Sequence, residues 1–215
     1  GIERVEVSPW PFPPDNAGEA PEFRFDPHVW TSPKRARVQV ENLGAGLAAA
    51  APDAAASINA ATASYLEDLD ALDAWATASI ETVPEGQRVL FTSHDAFGYF
   101  SGDYGIRFIG AALTDFNDQQ DATADHIASA VQAVKDSGAV ALFAENSNNS
   151  KSIEAIARGA GVTPIVGDDA LYGDSLGPDG SAGATYVGSI IHNVRAVTDA
   201  WGGTAPALPE RLAGQ

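Results

Sequence analysis

Two histidines and two carboxylates lie where regular segments of the chain are predicted to begin or end. His28 precedes a predicted helix, and His94 follows a predicted strand. Glu145 ends a later strand, and Asp174 precedes a glycine-rich loop. Ligands of α/β proteins collect at the carboxyl ends of strands. Because two imidazoles and a carboxylate suit Zn²⁺ or Mn²⁺, His28, His94 and Asp174 form a candidate metal site that exists only in the folded chain.

A plainer interpretation stays open on position alone, in which His28 and His94 are loop histidines with structural partners. The sequence contains two other histidines. His126 lies in a predicted helix over residues 123–137, and we expect it at the protein surface. His192 lies in the last predicted helix, where we expect a structural or exposed role.

The sequence predicts a protein that is not an enzyme. Ser93, His94 and Asp95 are consecutive, whereas the members of a catalytic triad converge from separate segments. The chain contains no H-E-x-x-H, phosphate-binding-loop or EF-hand pattern.

Composition excludes several classes of partner and cofactor. The 215 residues include 12 Lys and Arg against 29 Asp and Glu, a net charge of −17. Nucleic acids and anionic membranes need basic side chains, so neither is an expected partner. The absence of cysteine excludes disulfides, thiolate zinc sites and iron–sulfur clusters. No apolar run approaches the roughly 20 residues that span a bilayer.

The first part of the chain is predicted to be an irregular connector followed by helices. Residues 1–30 contain a short strand at 2–7 and then many prolines. Ser32 and Pro33 are a favourable helix start, and the helical pattern continues through Gly44 and Gly46, which excludes a nucleotide-binding glycine turn there. A helix over residues 53–83 would be roughly 45 Å long. Residues 31–83 are therefore predicted to be a helical segment that contains a long bridging helix.

From residue 84 the pattern changes to short strands that alternate with helices. Apolar strands alternating with helices predict an α/β fold, with a parallel sheet covered by helices. Strands are expected at residues 89–92, 106–110, 139–144 and 163–166, and helices at 96–104, 123–137, 151–160 and 184–201. Residues 84–201 are thus predicted to form one lobe, and residues 202–215 a flexible tail.

Five segments resemble the zinc and manganese solute-binding proteins of bacterial ABC importers. They are Asp-Pro-His-Val-Trp at 26–30, Thr-Ser-His-Asp-Ala-Phe-Gly-Tyr-Phe at 92–100, Phe-Ala-Glu-Asn-Ser at 143–147, Asp-Ser-Leu-Gly at 174–177 and Gly-Ala-Thr-Tyr at 183–186. The resemblance covers residues 1 to about 201. It implies two α/β lobes joined by a long helix, a metal held between the lobes, an extracytoplasmic location and an ABC permease as partner.

The resemblance also implies a role for each candidate residue. His28 and His94 would be imidazole ligands, and Asp174 the carboxylate ligand. Glu145 would be an auxiliary carboxylate beside a ligating imidazole. Some manganese-binding members have Glu at the position of His94, so the imidazole favours Zn²⁺ over Mn²⁺.

The chain departs from the family pattern before His28. Family members have a whole amino-terminal lobe there, which supplies a further histidine ligand. Only 27 residues precede His28, and none is histidine. The chain is either a fragment or a natural variant without that lobe. We favour the fragment, with three of four ligands, a weakened metal affinity and an apolar face toward the other lobe.

Two other functions compete with metal capture. An adhesin-like interaction protein could keep the fold and bind metal only incidentally, so that its partner binding would survive chelation. A metal-dependent hydrolase would need a general base near the metal, and Glu145 is the only obvious candidate for that role.

Overall fold

The computed structural model describes residues 25–113 and 124–214. The predicted strand at 2–7 and most of the predicted connector lie outside these ranges. A 3₁₀ turn, Val29–Thr31, is followed by helix α1, Pro33–Ala50, and helix α2, Ala55–Ile80. Pro52 begins a short 3₁₀ turn between the two helices.

Helices α1 and α2 form an antiparallel hairpin, and the first half of α2 has no buried side chains. At 26 residues, α2 is about 39 Å long. Its buried side chains all lie between Asp68 and Ile80, so its first half packs mainly on α1. Gly44 is buried inside α1 against Thr62 of α2. This confirms that Gly44 belongs to a helix and not to a nucleotide-binding turn.

The remainder of the chain alternates strands and helices, which confirms the predicted α/β class. The elements are β1 Val89–Thr92, α3 Gly98–Asp103, β2 Arg107–Ala111, α4 Ala124–Ser137, β3 Ala141–Phe143, α5 Lys151–Ala160, β4 Thr163–Ile165 and α6 Tyr186–Ala200. The bounds of β1 and α5 coincide with the predicted ones. None of the helices in the described ranges is long and apolar enough to cross a membrane.

The strands form two parallel pairs instead of one continuous sheet. β1 pairs with β2, and β3 pairs with β4. Side chains join the two pairs at the carboxyl ends of β1 and β3. The Glu145 N–H donates to Ser93 Oγ at 3.1 Å, and the His94 N–H donates to Glu145 Oε1 at 3.0 Å. This junction brings His94 and Glu145 together.

The prediction of a surface position for His126 is wrong. The His126 side chain is buried, as are Ala130 and Val134. Residues four apart share one face of a helix, and α4 contacts α5 and β2. The polar neighbour Asp125 is exposed, so local polarity was a misleading guide to the position of His126.

The last described residues contact α2, and the flexible tail over residues 202–215 stays a prediction. Leu212 is buried in the core. Arg211 Nε lies 2.6 Å from Asp68 Oδ1, and its Nη2 lies 3.0 Å from Glu67 Oε2. A buried apolar side chain beside a double ion pair holds a segment that is poor in regular structure.

Candidate metal centre

Three predicted ligands from distant parts of the chain converge. His28 Nε2 lies 3.6 Å from Asp174 Oδ1, and His94 Nε2 lies 3.0 Å from Asp174 Oδ2. The two imidazole centroids are 5.2 Å apart. One potential ligand atom from each residue lies within 4.8 Å of the others. The three side chains could thus contact one cation together.

His28 is oriented by Asp26, a carboxylate that the sequence analysis did not single out. Asp26 Oδ1 accepts a hydrogen bond from the His28 backbone N–H at 2.8 Å and lies 2.7 Å from His28 Nδ1. Both residues are buried. The i, i+2 spacing of an aspartate and a histidine before a helix is a local signal that could have identified this pair.

His94 is oriented in the same way by Glu145. Glu145 Oε2 lies 2.7 Å from His94 Nδ1, and both side chains are fully buried. Each imidazole therefore directs Nδ1 to a buried carboxylate and Nε2 to Asp174. A carboxylate at Nδ1 favours the tautomer with the proton on Nδ1, which leaves the Nε2 lone pair available to a metal.

The charges around the imidazoles favour a cation. Burial opposes protonation of His94, but hydrogen bonds to Asp174 and Glu145 outweigh it and raise the His94 pKa to about 11. The hydrogen bond from His94 holds the Asp174 pKa below its usual value. Burial, together with the charge of Asp26, raises the pKa of half-buried Asp95 to about 6. Several carboxylates thus act on two imidazoles in a largely buried space.

The start of α1 is fixed close to His28. The Ser32 hydroxyl and the Arg35 Nε both donate to Asp103 Oδ2, at 2.7 and 2.8 Å. Arg35 Nη2 also donates to Asp103 Oδ1 at 2.8 Å. Burial opposes ionisation of Asp103, but the bonds from Arg35 and Ser32 lower its pKa below the usual value. This ion pair ties the segment that carries His28 to α3.

The backbone that carries Asp174 is held by side chains on both of its flanks. The Trp30 Nε1–H donates to the Gly173 carbonyl at 2.9 Å, which joins the His28 and Asp174 segments. Asn146, next to Glu145, donates to Ser175 Oγ at 2.8 Å. The Asp174 side chain itself is 33% exposed, so its position depends on these neighbours.

Two glycines make room for the carboxylates that orient the histidines. A Cβ added at Gly98 would lie 2.6 Å from Asp26 Oδ2. A Cβ added at Gly173 would overlap Glu145 Oε2, which is held against His94. Neither position can accept a side chain unless a carboxylate moves away from its imidazole.

We predict that Gly173→Ala lowers the free energy of unfolding of the metal-free protein by about 2 kcal/mol, because overpacking displaces the buried Glu145 carboxylate. The measurement is urea unfolding in the presence of a chelator. Gly46→Ala is the matched control: Gly46 lies in α1 with open space around its Cβ position. That substitution should stabilise the protein by up to about 1 kcal/mol. Equal stability of Gly173→Ala and the unsubstituted chain would contradict the packing argument.

Comparison with known proteins relates the chain to metal-binding proteins. Residues 3–200 match the protein family described as "ZnuA: Zinc-uptake complex component A periplasmic". The chain is 35% identical over 179 residues to the manganese-binding lipoprotein MntA of Bacillus subtilis (strain 168), covering 82% of this chain and 58% of MntA. It is 33% identical over 184 residues to the zinc-binding protein TroA of Treponema pallidum (strain Nichols), covering 83% of this chain and 58% of TroA.

A third relative and one solved structure are also metal-binding proteins. The metal ABC transporter substrate-binding lipoprotein SsaB of Streptococcus sanguinis is 25% identical over 182 residues, which are 85% of this chain and 57% of SsaB. The structure of periplasmic TroA superposes with a TM-score of 0.76 at 30% identity and covers 86% of this chain and 66% of that structure. The chain therefore spans somewhat more than half the length of these three relatives.

Proposed function

This chain belongs to the family of periplasmic zinc-uptake component A proteins, and we propose that it captures a divalent transition metal outside the cytoplasm for delivery to an ABC permease. Zn²⁺ is the proposed cargo, and Mn²⁺ is the alternative. His28, His94 and Asp174 are the proposed ligands. Glu145 is proposed to support His94, and Asp26 to support His28.

The observation that carries this proposal is the convergence of the three side chains on one point. Tetrahedral zinc with bonds of about 2.0–2.1 Å separates its ligand atoms by about 3.3 Å. The two contacts of Asp174 with the imidazole Nε2 atoms, at 3.0 and 3.6 Å, are close to that separation. One ligand atom from each of the three residues lies within 4.8 Å of the others, so a cation could replace the direct contacts once the ligands draw closer together.

The ligand types favour zinc over manganese. Imidazole nitrogen suits Zn²⁺, whereas Mn²⁺ is better served by oxygen donors. His28 and His94 supply two nitrogens against the single carboxylate of Asp174. The names of the relatives include both metals, so the proposed preference depends on the donor set of this chain.

The geometry favours capture over catalysis. A hydrolytic metal site needs an open coordination position and a general base that can reach the bound water. Glu145, the candidate base, is engaged by the His94 backbone N–H and faces His94 Nδ1. Gly-Asp-Ser-Leu-Gly at 173–177 matches the G-x-S-x-G pattern of hydrolases. That pattern requires a strand-to-helix turn, whereas Ser175 lies in an irregular loop eleven residues before α6.

The permease partner and the extracytoplasmic location are proposed from the relatives. MntA is named a lipoprotein, and SsaB is named a metal ABC transporter substrate-binding lipoprotein.

We also propose that residues 31–83 form a helical segment distinct from a lobe over residues 84–201. The first half of α2 supports this division, because none of its side chains is buried, whereas the second half shares its buried core with β1, β3 and α6.

Titration of the purified chain with Zn²⁺ in competition with a chelator tests the proposal. We expect one saturable zinc equivalent per chain, bound more tightly than Mn²⁺, in line with the general order of metal affinities. The titration should be made at about 0.15 M salt, which screens the many surface carboxylates. Absence of a saturable equivalent would contradict metal capture. Partner binding that persists after chelation would favour the adhesin-like alternative.

A further inference from the structure

The backbone just before Asp174 is clamped by one buried side chain of α6. Asn193 is 1% exposed. Its Oδ1 accepts a hydrogen bond from the Tyr172 N–H at 2.8 Å, and its Nδ2 donates to the Tyr172 carbonyl at 2.8 Å. A single amide thus pairs with both backbone groups of a residue two positions before Asp174.

The two hydrogen bonds of Asn193 begin at the residue where strand-like pairing ends. Leu171 forms a parallel bridge with Glu145, in which the Asn146 N–H donates to the Leu171 carbonyl at 2.8 Å. Tyr172 is the next residue, and its backbone groups bond to the Asn193 side chain instead of to another strand. Asn193 therefore continues the pairing by one residue and sets the direction in which the chain enters the Asp174 loop.

Helix α6 also contacts the segment on the other side of the site. The Tyr186 hydroxyl donates to the Trp30 carbonyl at 2.8 Å, and the Trp30 indole donates to the Gly173 carbonyl. His192 Nε2 lies 3.0 Å from the Ala170 carbonyl oxygen. One helix thus holds the chain before Asp174 and the chain after His28.

We infer that Asn193 is a positioning residue of the metal site, which holds Asp174 against the two imidazoles by fixing the backbone of Tyr172. The inference rests on the proposed function. The Asp174 side chain is one third exposed, and whether it can reach the two Nε2 atoms depends on where its backbone is held. Fixing it in advance lowers the ordering cost of binding the cation.

A double-mutant cycle with Asp174 tests this role, because a residue that acts through Asp174 has nothing to position once that carboxylate is removed. The variants are Asn193→Leu, Asp174→Ala and the two combined, and the readout is zinc affinity from chelator competition. Loss of an outer partner typically costs 10–100-fold, and we expect Asn193→Leu to weaken zinc binding about 10-fold in the otherwise unsubstituted chain. In the Asp174→Ala background, Asn193→Leu should change affinity by less than about twofold.

Equal losses in the two backgrounds would mean a general structural role and would overturn the inference, as would full affinity in folded Asn193→Leu. Ser189→Ala is the matched control on the same helix, because Ser189 is buried and its hydroxyl donates to the Tyr186 carbonyl within α6. It should leave zinc affinity unchanged. A chain that binds no zinc at all would overturn both this inference and the proposed function, whereas zinc binding that is indifferent to Asn193 would overturn this inference alone.

Asn193→Asp gives a second test if Asn193→Leu does not fold. Its carboxylate can still accept from the Tyr172 N–H but faces the Tyr172 carbonyl without a proton to donate. We expect the visible absorption of bound Co²⁺, which reports coordination geometry, to shift toward that of Asp174→Ala. An absorption spectrum identical to that of the unsubstituted chain would count against the positioning role.

Discussion

Replacement of His94 by alanine is expected to weaken zinc binding by more than about 100-fold, because removal of a ligand should cost more than loss of an outer partner. The substitution removes the Nε2 atom that lies 3.0 Å from Asp174 Oδ2. It also leaves the buried Glu145 carboxylate without the imidazole that it orients. Affinity is measured by chelator competition at a temperature where circular dichroism shows that both proteins are folded.

His126→Ala is the matched control for this substitution. His126 is a buried histidine in α4, so its truncation removes an imidazole of the same size from the protein interior. A loss of packing alone would affect both variants, whereas only His94→Ala removes a proposed ligand. Unchanged zinc affinity in His94→Ala would eliminate the assignment of the site.

Zinc affinity is expected to fall about tenfold for each unit by which the pH is lowered between 8 and 6, since one bound proton must leave when the metal binds. Asp174 and Glu145 raise the pKa of metal-free His94 to about 11 despite its burial. His94 therefore holds a proton through this pH range, and zinc must displace it. The affinity is measured at each pH against a chelator whose own protonation is known.

Two further measurements test the origin of this pH dependence. In Glu145→Gln, one of the two groups that raise the His94 pKa is neutral, so zinc affinity should stop rising at a lower pH than in the unsubstituted chain. The stability of the metal-free protein changes with pH in the opposite direction to the zinc affinity. A raised His94 pKa stabilises the fold fully below its ordinary value of 6.5, and this contribution is lost as the pH rises toward 11. A pH-independent zinc affinity would contradict proton displacement from His94.

Local features of the sequence were sufficient for much of the fold. β1 and α5 begin and end where they were predicted, because a short apolar run and a well-defined helical repeat specify these elements without help from distant residues. The start of α1 at Pro33 fits the fixed φ angle of proline, whereas the Ser32 hydroxyl donates to Asp103 and forms no cap hydrogen bond. The three proposed ligands, His28, His94 and Asp174, were also candidates from sequence, since each lies at the end of a segment.

Long-range packing accounts for what the sequence did not reveal. His126 is buried although its neighbour Asp125 is exposed, and Arg211 pairs with acidic side chains of α2 that are more than 140 residues away. The proposed roles of Asp26 and Asn193 depend on which atoms face Nδ1 of His28 and the backbone of Tyr172. Residue type and spacing specify which side chains could bind a metal. Their meeting at one point requires several elements to pack in a single arrangement, and no local pattern encodes that.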